Sequence, residues 1–339
     1  MKVLIVGGAG FIGSNAAWRH LQKGDEVVIL DDLSRAGARR NVEWLRSRGD
    51  VRVAQVDIRS AEEVRETFRL HRDSGLILHL AAQVAVTSSV SDPRHDFEVN
   101  ALGTFNVLEA VRLVGIQAPL VYASTNKVYG KMEDMAVAER DGRYVFPLLP
   151  HGVSEERSLD FQSPYGCSKG AGDQYVLDYH RMYGLRTVVF RQSCIYGPRQ
   201  FGIEDQGWVA WFTIAAIRGL PITIYGDGKQ VRDVLFIEDL LDAFDLAAEG
   251  IERTAGRAYN IGGGPENAVS VREVLKFLEK RRGTPIPWRE SAWRPADQKV
   301  YVSDIRRARA ELNWVPRVSW QRGLDCLYDW VAGNGELFR

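Results

Sequence analysis

Gly7 and Gly10 stand between the apolar run Val3–Val6 and an amphipathic stretch, Phe11–Leu21, whose first turn holds Gly13. A strand that ends in such a turn and opens into a helix leaves few folds to choose from. The first glycine permits the tight turn, the second lets a pyrophosphate approach the backbone, and the third lets helix and strand pack closely. The start of the helix then offers oriented N–H groups to an anion. The spacing differs slightly from the common Gly-x-Gly-x-x-Gly form, and a lone glycine triplet is weak, since flexible loops also produce one. Here Asp31 ends the next apolar run, Val27–Leu30, at the distance expected for the acid that binds a ribose 2′-hydroxyl. A carboxylate there repels a 2′-phosphate, so NAD is favoured over NADP. Arg35, close by in sequence, weakens that preference slightly, because a guanidinium can pair with a phosphate.

The pattern continues along the chain. Val51–Val56, Leu76–Leu80, Leu120–Ala123 and Thr187–Arg191 read as strands. Ala61–Leu70, with Ser60 as its cap, and Thr104–Val114 read as helices. Such alternation predicts a parallel sheet covered on both faces, a Rossmann-type doubly wound α/β fold. After Pro198 the chain becomes irregular and rich in Trp, Gly and Pro. The expected division is a nucleotide-binding domain over 1–198, to which 230–250 returns as strand and helix, and a smaller C-terminal substrate-binding lobe over 199–339. Helices are expected in the lobe at Val271–Lys280 and Asp304–Leu312.

Charge narrows the class of ligand. The 44 Lys and Arg residues balance 44 Asp and Glu, so no global field points to nucleic acid. Cys167, Cys194 and Cys326 are too few and too scattered for a disulfide framework or a zinc cluster. His20, His71, His79, His95, His151 and His180 show no metal-ligand spacing, so no metal is expected. No stretch approaches the roughly 20 apolar residues of a membrane span, and the N-terminal apolar run is too short for a signal peptide. A soluble, cytoplasmic protein is the expectation.

Tyr165 and Lys169 are four apart, and on a helix they share a face. An ammonium beside a phenol favours phenolate, and a tyrosine so tuned can take and return a hydroxyl proton near neutral pH. The pair alone is common by chance. It gains weight beside the glycine loop and beside Ser124-Thr125, which follow the Leu120–Ala123 strand.

Taken together these pieces resemble the extended short-chain dehydrogenase/reductase family, in particular its nucleotide-sugar epimerases and dehydratases. The matching segments run in family order: GGAGFIG (7–13), VVILDDLSR (27–35), VDIR (56–59), HLAAQ (79–83), ASTNKVYG (123–130), SPYGCSK (163–169), YGPRQ (196–200), YGDGKQVRDVLF (225–236) and RPAD (294–297). The resemblance implies NAD on the N-terminal sheet and a nucleotide-diphosphate sugar under the lobe. It makes Thr125, Tyr165 and Lys169 the catalytic residues, the last two also touching the cofactor. It assigns Phe11, Ile12, Asp32, Ser34 and Arg35 to the cofactor with the three glycines and Asp31. Asp57 and Ile58 should lie by the adenine, Leu80, Ala81, Ala82 and Gln83 should line the cofactor, and Asn100 should support the site. Arg232 and Arg294 should hold the diphosphate, a post that suits bidentate guanidinium contacts. Family members pair through helices near residues 100–114 and 165–183, which implies a homodimer, with a tetramer as the alternative.

Thr125 is followed by Asn126-Lys127, whereas dehydratases of the family place Asp-Glu there to eliminate water. An epimerase needs no such acid pair. Segments between residues 123 and 240 are most similar to the CDP-paratose (CDP-tyvelose) 2-epimerases, which invert C2 of a cytidine-diphosphate hexose. C4 epimerases usually carry Arg-Tyr-Phe-Asn where this chain has Arg191-Gln192-Ser193-Cys194. Asn126, Gln206, Trp208 and Tyr225 become candidate substrate contacts, with Trp211 as a further one; the tryptophans also fit a core role. A UDP-hexose 4-epimerase, a nucleotide-sugar dehydratase and a non-catalytic NAD-binding regulator are the competing readings.

Overall fold

The computed structural model describes residues 1–294 and 297–338. Seven strands form the central sheet: β1 (Lys2–Val6), β2 (Glu26–Asp31), β3 (Val51–Gln55), β4 (Leu76–His79), β5 (Leu120–Thr125), β6 (Thr187–Gln192) and β7 (Arg257–Ile261). All pair in parallel, in the order β7-β6-β5-β4-β1-β2-β3. The chain runs outward from β1 through β3, then crosses to β4 on the other side of β1. That reversal opens a crevice beyond the C-terminal ends of β1 and β4, where ligands of open α/β sheets bind.

The strands are apolar on both faces, as a covered parallel sheet requires. Val3, Ile5, Val27 and Ile29 enter one buried cluster, and Leu4, Val6, Val28 and Leu30 the other. Helices α1 (Phe11–Gln22) and α2 (Ala38–Arg46) cover the first face. Helices α3 (Ala61–Leu70), α4 (Gly103–Val114) and α5 (Ser163–Tyr183) cover the second, and α6 (Ile237–Glu249) returns to pack on α1. Ser60 caps α3, as its sequence predicts, by accepting from the Glu63 N–H.

The strand expected within 230–250 runs from Val231 to Phe236. It does not join the main sheet. It pairs with Cys194–Tyr196, Ala268–Ser270 and Val300–Tyr301 in a small mixed sheet. The seventh main strand comes instead from Arg257–Ile261, within the stretch whose sequence looks irregular. Only its pairing with β6 gives that short run a place. Ile222–Tyr225 and Trp288–Ser291 form a separate parallel pair. Among the described residues, no helix is long and apolar enough to cross a membrane.

Candidate active site

The crevice between β1 and β4 is a cavity of about 310 Å3. A Cβ on Gly7 would sit 2.4 Å from the Ala81 nitrogen, and Gly7 has φ +82°, so only glycine fits there. A Cβ on Gly13 would lie 2.3 Å from the Gly7 carbonyl oxygen. Gly10 is different: its nearest neighbour would be 3.4 Å away, and it begins α1 without a side-chain cap. The first-turn N–H groups of α1 therefore remain available to a phosphate.

Asp31 closes the far wall. Its carboxylate accepts from the Ala9 N–H at 3.0 Å and the Leu33 N–H at 2.9 Å. Burial pushes its pKa up, against the pull of those two N–H groups. Asp32 accepts from the Ser34 N–H at 3.0 Å and its hydroxyl at 2.7 Å, fixing the loop after β2. Asp57 is paired with Arg59, which holds its carboxyl below the usual range. The Ile58 carbonyl accepts from Asn106, so the expected adenine wall is also fixed. Phe11, Ile12, Leu80, Ala81, Ala82 and Gln83 complete the lining with these residues, and Arg35 lies among them.

Asn100 sits behind this lining in a wide π-helical turn, Glu98–Leu102, an irregularity common at functional sites. Its side chain accepts from the Gln83 N–H and donates to the Gln83 carbonyl, both at 2.9 Å. It also donates to Ser168 in α5 at 3.1 Å. Ser168 in turn donates to buried Asp96 at 2.5 Å. The loop after β4 is thereby tied to the helix that carries Tyr165 and Lys169.

Residues 199–201 bring a contribution that the sequence does not assign. Arg199, Gln200 and Phe201 line the same cavity, and the Phe201 ring lies against Gly37, where a Cβ would come within 2.3 Å. Gln206, expected at the sugar, lies at the rim of this cavity and accepts from Arg35. The motif Tyr196–Gln200 was visible in the sequence; its closeness to the β2–α2 loop was not.

Thr125 ends β5, buried, and its hydroxyl oxygen accepts from the Lys127 N–H at 3.2 Å. Tyr165 and Lys169 occupy the first two turns of α5, 8% and 3% exposed. Lys169 Nζ donates to the Ala123 carbonyl at 2.6 Å and lies 4.2 Å over the Tyr122 ring. Burial pulls its pKa down to about 7, against the attraction of Asp173 and Asp96. The sequence predicts that Lys169 lowers the phenol's pKa. Instead, burial pushes Tyr165 up to about 12; the Thr125 hydroxyl and then the Arg35 charge oppose the rise. Without further positive charge, Tyr165 is a proton donor at neutral pH.

Opposite this group lies the candidate substrate side. Arg232, 8% exposed, donates to Asp297 at 2.7 Å. Lys127 Nζ reaches the same Asp297 oxygen at 3.5 Å. Arg294 lies apart from that pair: it stacks 4.0 Å over the Tyr225 ring and meets Asp205 at 2.8 Å. Pro295 and Ala296 of the same motif lie outside the described residues. Asn126 is buried beside Thr125. Trp208 faces the Cys194 thiol and packs edge-on against Phe212. The Trp211 indole N–H is buried with no partner among the described residues. Among those residues no cluster of His, Cys, Asp or Glu could hold a metal ion.

A backbone anion cradle, a ribose-facing carboxylate and an apolar floor fit NAD. The family model described as "NAD dependent epimerase/dehydratase family" matches residues 3–262. The chain is 44% identical to CDP-paratose 2-epimerase of Salmonella typhi, covering 98% of this chain and 99% of that protein. It is 33% identical to UDP-glucose 4-epimerase of Mycolicibacterium smegmatis, covering 100% and 99%. It is similar in structure to the Thermus thermophilus UDP-glucose 4-epimerase solved in complex with NAD, at a TM-score of 0.83 and 35% identity over 98% and 100% of the two chains. With its glycine cradle, Asp31 and buried Tyr165–Lys169 pair, the chain belongs to the NAD-dependent epimerase/dehydratase family, and NAD is its cofactor.

Proposed function

We propose that the protein is an NAD-dependent nucleotide-sugar epimerase that inverts C2 of a CDP-hexose, with CDP-paratose and CDP-tyvelose as the pair it interconverts. The observation that carries this reading is the 44% identity, over nearly the whole of both chains, to a CDP-paratose 2-epimerase. Lys127 supports an epimerase over a dehydratase, because an ammonium cannot do the work of the carboxylate that dehydratases place there. The 33% identical UDP-glucose 4-epimerase makes C4 inversion the second reading.

Thr125, Tyr165 and Lys169 are the catalytic residues of this proposal. The Lys127 N–H fixes the Thr125 hydroxyl oxygen, and the Thr125 proton, which reaches the Asn126 side-chain oxygen at 3.4 Å, turns to the sugar oxygen when substrate binds. NAD held by the glycine turn and Asp31 would supply the acceptor and donor of the C2 hydride, and its cationic nicotinamide would supply positive charge beside the phenol. Tyr165 removes the C2 hydroxyl proton as the 2-keto sugar forms, and gives it back after the ring has turned over. Lys169, held by the Ala123 carbonyl on the same helical face as Tyr165, would bond the nicotinamide ribose. Gly7, Gly10, Gly13 and Asp31 hold the dinucleotide. Arg232 and Arg294 anchor the diphosphate while the hexosyl group swings, under a lobe built mainly from residue 199 onward. Phe105 and Leu113 on α4, with Tyr175 and Met182 on α5, leave exposed apolar surface that supports a homodimer.

Proton NMR of the product tests the reaction. Inversion at C2 with no solvent deuterium at C2 is the expected result in D2O. Inversion at C4 would overturn the C2 assignment, and deuterium at C2 would replace internal hydride return with a deprotonation route.

A further inference from the structure

Lys127 is a cation on the substrate side to which the mechanism above gives no side-chain task. It lies in the short turn Asn126–Tyr129, two residues after Thr125. Its ammonium is largely buried and faces Asp297, Arg232 and the Cys194 thiol. Arg232 and Lys127 share one oxygen of one carboxylate, Arg232 at 2.7 Å and Lys127 at the looser 3.5 Å. Two cations on one anion leave an excess positive charge at a site where all three side chains are mostly buried. Burial and the neighbouring guanidinium both lower the proton affinity of Lys127, a cost that a further anion would relieve.

The position of that charge bears on which carbon reacts. In a nucleoside-diphosphate hexose, C2 is bonded to the carbon that carries the phosphate, whereas C4 lies across the ring. A sugar that presents C2 to Tyr165 therefore brings its nearer phosphate close to Thr125. A sugar that presents C4 carries that phosphate away.

Resting on the epimerase reading, we propose that Lys127 is a substrate-binding residue that contacts the sugar-proximal phosphate and so presents C2, rather than C4, to Tyr165. Asp297 holds the ammonium ready in the absence of that phosphate. Arg232 keeps Asp297 when Lys127 turns to the substrate.

The test compares CDP with CMP, which lacks that phosphate. Both are titrated by calorimetry against the NAD-loaded wild type, Lys127→Met and Lys127→Arg, each checked for unchanged NAD content and melting temperature. Lys127→Met should weaken CDP about tenfold, about 1.4 kcal/mol, and leave CMP within about twofold. Lys127→Arg should recover most of the CDP affinity, and KM for the sugar should follow CDP while kcat changes less. Equal losses for CDP and CMP, or unchanged CDP binding with a fall in kcat, would overturn the phosphate contact. UDP and UMP are run alongside: a wild type that prefers UDP defeats the cytidine assignment, yet the diphosphate-against-monophosphate comparison still decides the role of Lys127. Inversion at C4 by a wild type whose Lys127→Met variant loses diphosphate affinity would refute the presentation of C2.

Discussion

The two walls of the cleft are built from different materials. The cofactor wall is mostly backbone: a glycine turn, an uncapped helix start, and a loop held by Asn100. The candidate substrate wall is mostly charged side chains from separate stretches of chain: Lys127, Arg232, Arg294 and Asp297, with Asp205 and the Glu204 carboxylate, which accepts from Tyr225. A backbone site tolerates substitution except where a Cβ cannot fit. A side-chain site can change its ligand by single substitutions and keep the fold. This difference explains how one architecture serves relatives named for C2 inversion, C4 inversion and dehydration.

The largest effect should come from the point where the walls meet. Tyr165→Phe removes the proposed acid and base without removing the ring, and should lower kcat about 10³-fold while NAD remains bound. Near-normal turnover would reassign the base. On the substrate wall, Arg232→Gln should raise KM for the nucleotide-sugar by about ten- to a hundredfold, as loss of charge-assisted phosphate contacts predicts. NAD content, read from the absorbance of the purified protein, should not change. Loss of NAD in that variant would show that the two walls are not separable.

The smallest effect concerns stability and belongs to the cofactor wall. His79 is fully buried at the end of β4, bonded to Thr104 at 3.0 Å. Burial, and then the charge of Lys169, push its pKa down to about 3 from 6.5. The unfolded chain therefore takes up a proton below pH 6.5 that the folded chain refuses until about pH 3, and stability falls as pH falls through that window. Between pH 7 and 5 the loss from this group should be about 2 kcal/mol. Denaturant titration of wild type and His79→Gln at both values checks it; an equal acid loss in the variant would clear His79 of the effect.

Much of the cofactor wall was legible in the sequence because its signals are local. Gly13 is required by contacts with Gly7 and Gly8 in its own turn, Gly7 by its positive φ there as well as by the distant approach of Leu80 and Ala81, and Asp31 follows at a set distance. Asn100 was named by family resemblance, but its bonds to Gln83 and Ser168 depend on helices that meet only in the folded chain. Arg199, Gln200 and Phe201 went unassigned for the same reason. Gln206 and Arg35 are 171 residues apart, and nothing local in either segment announces their bond.

The sequence by itself determined a doubly wound sheet, a dinucleotide at its switch point, and a Tyr–Lys pair on one helical face. Periodicity, the positive φ of Gly7 and the steric demand at Gly13 act over a few residues, so they are written where they act. Tertiary structure alone decided that Arg257–Ile261 closes the sheet, that burial makes Tyr165 a weak acid and Lys169 a near-neutral base, and that Lys127 and Arg232 share Asp297. Pairing, desolvation and charge sharing depend on distance in space, and the order of residues along the chain does not encode that distance directly.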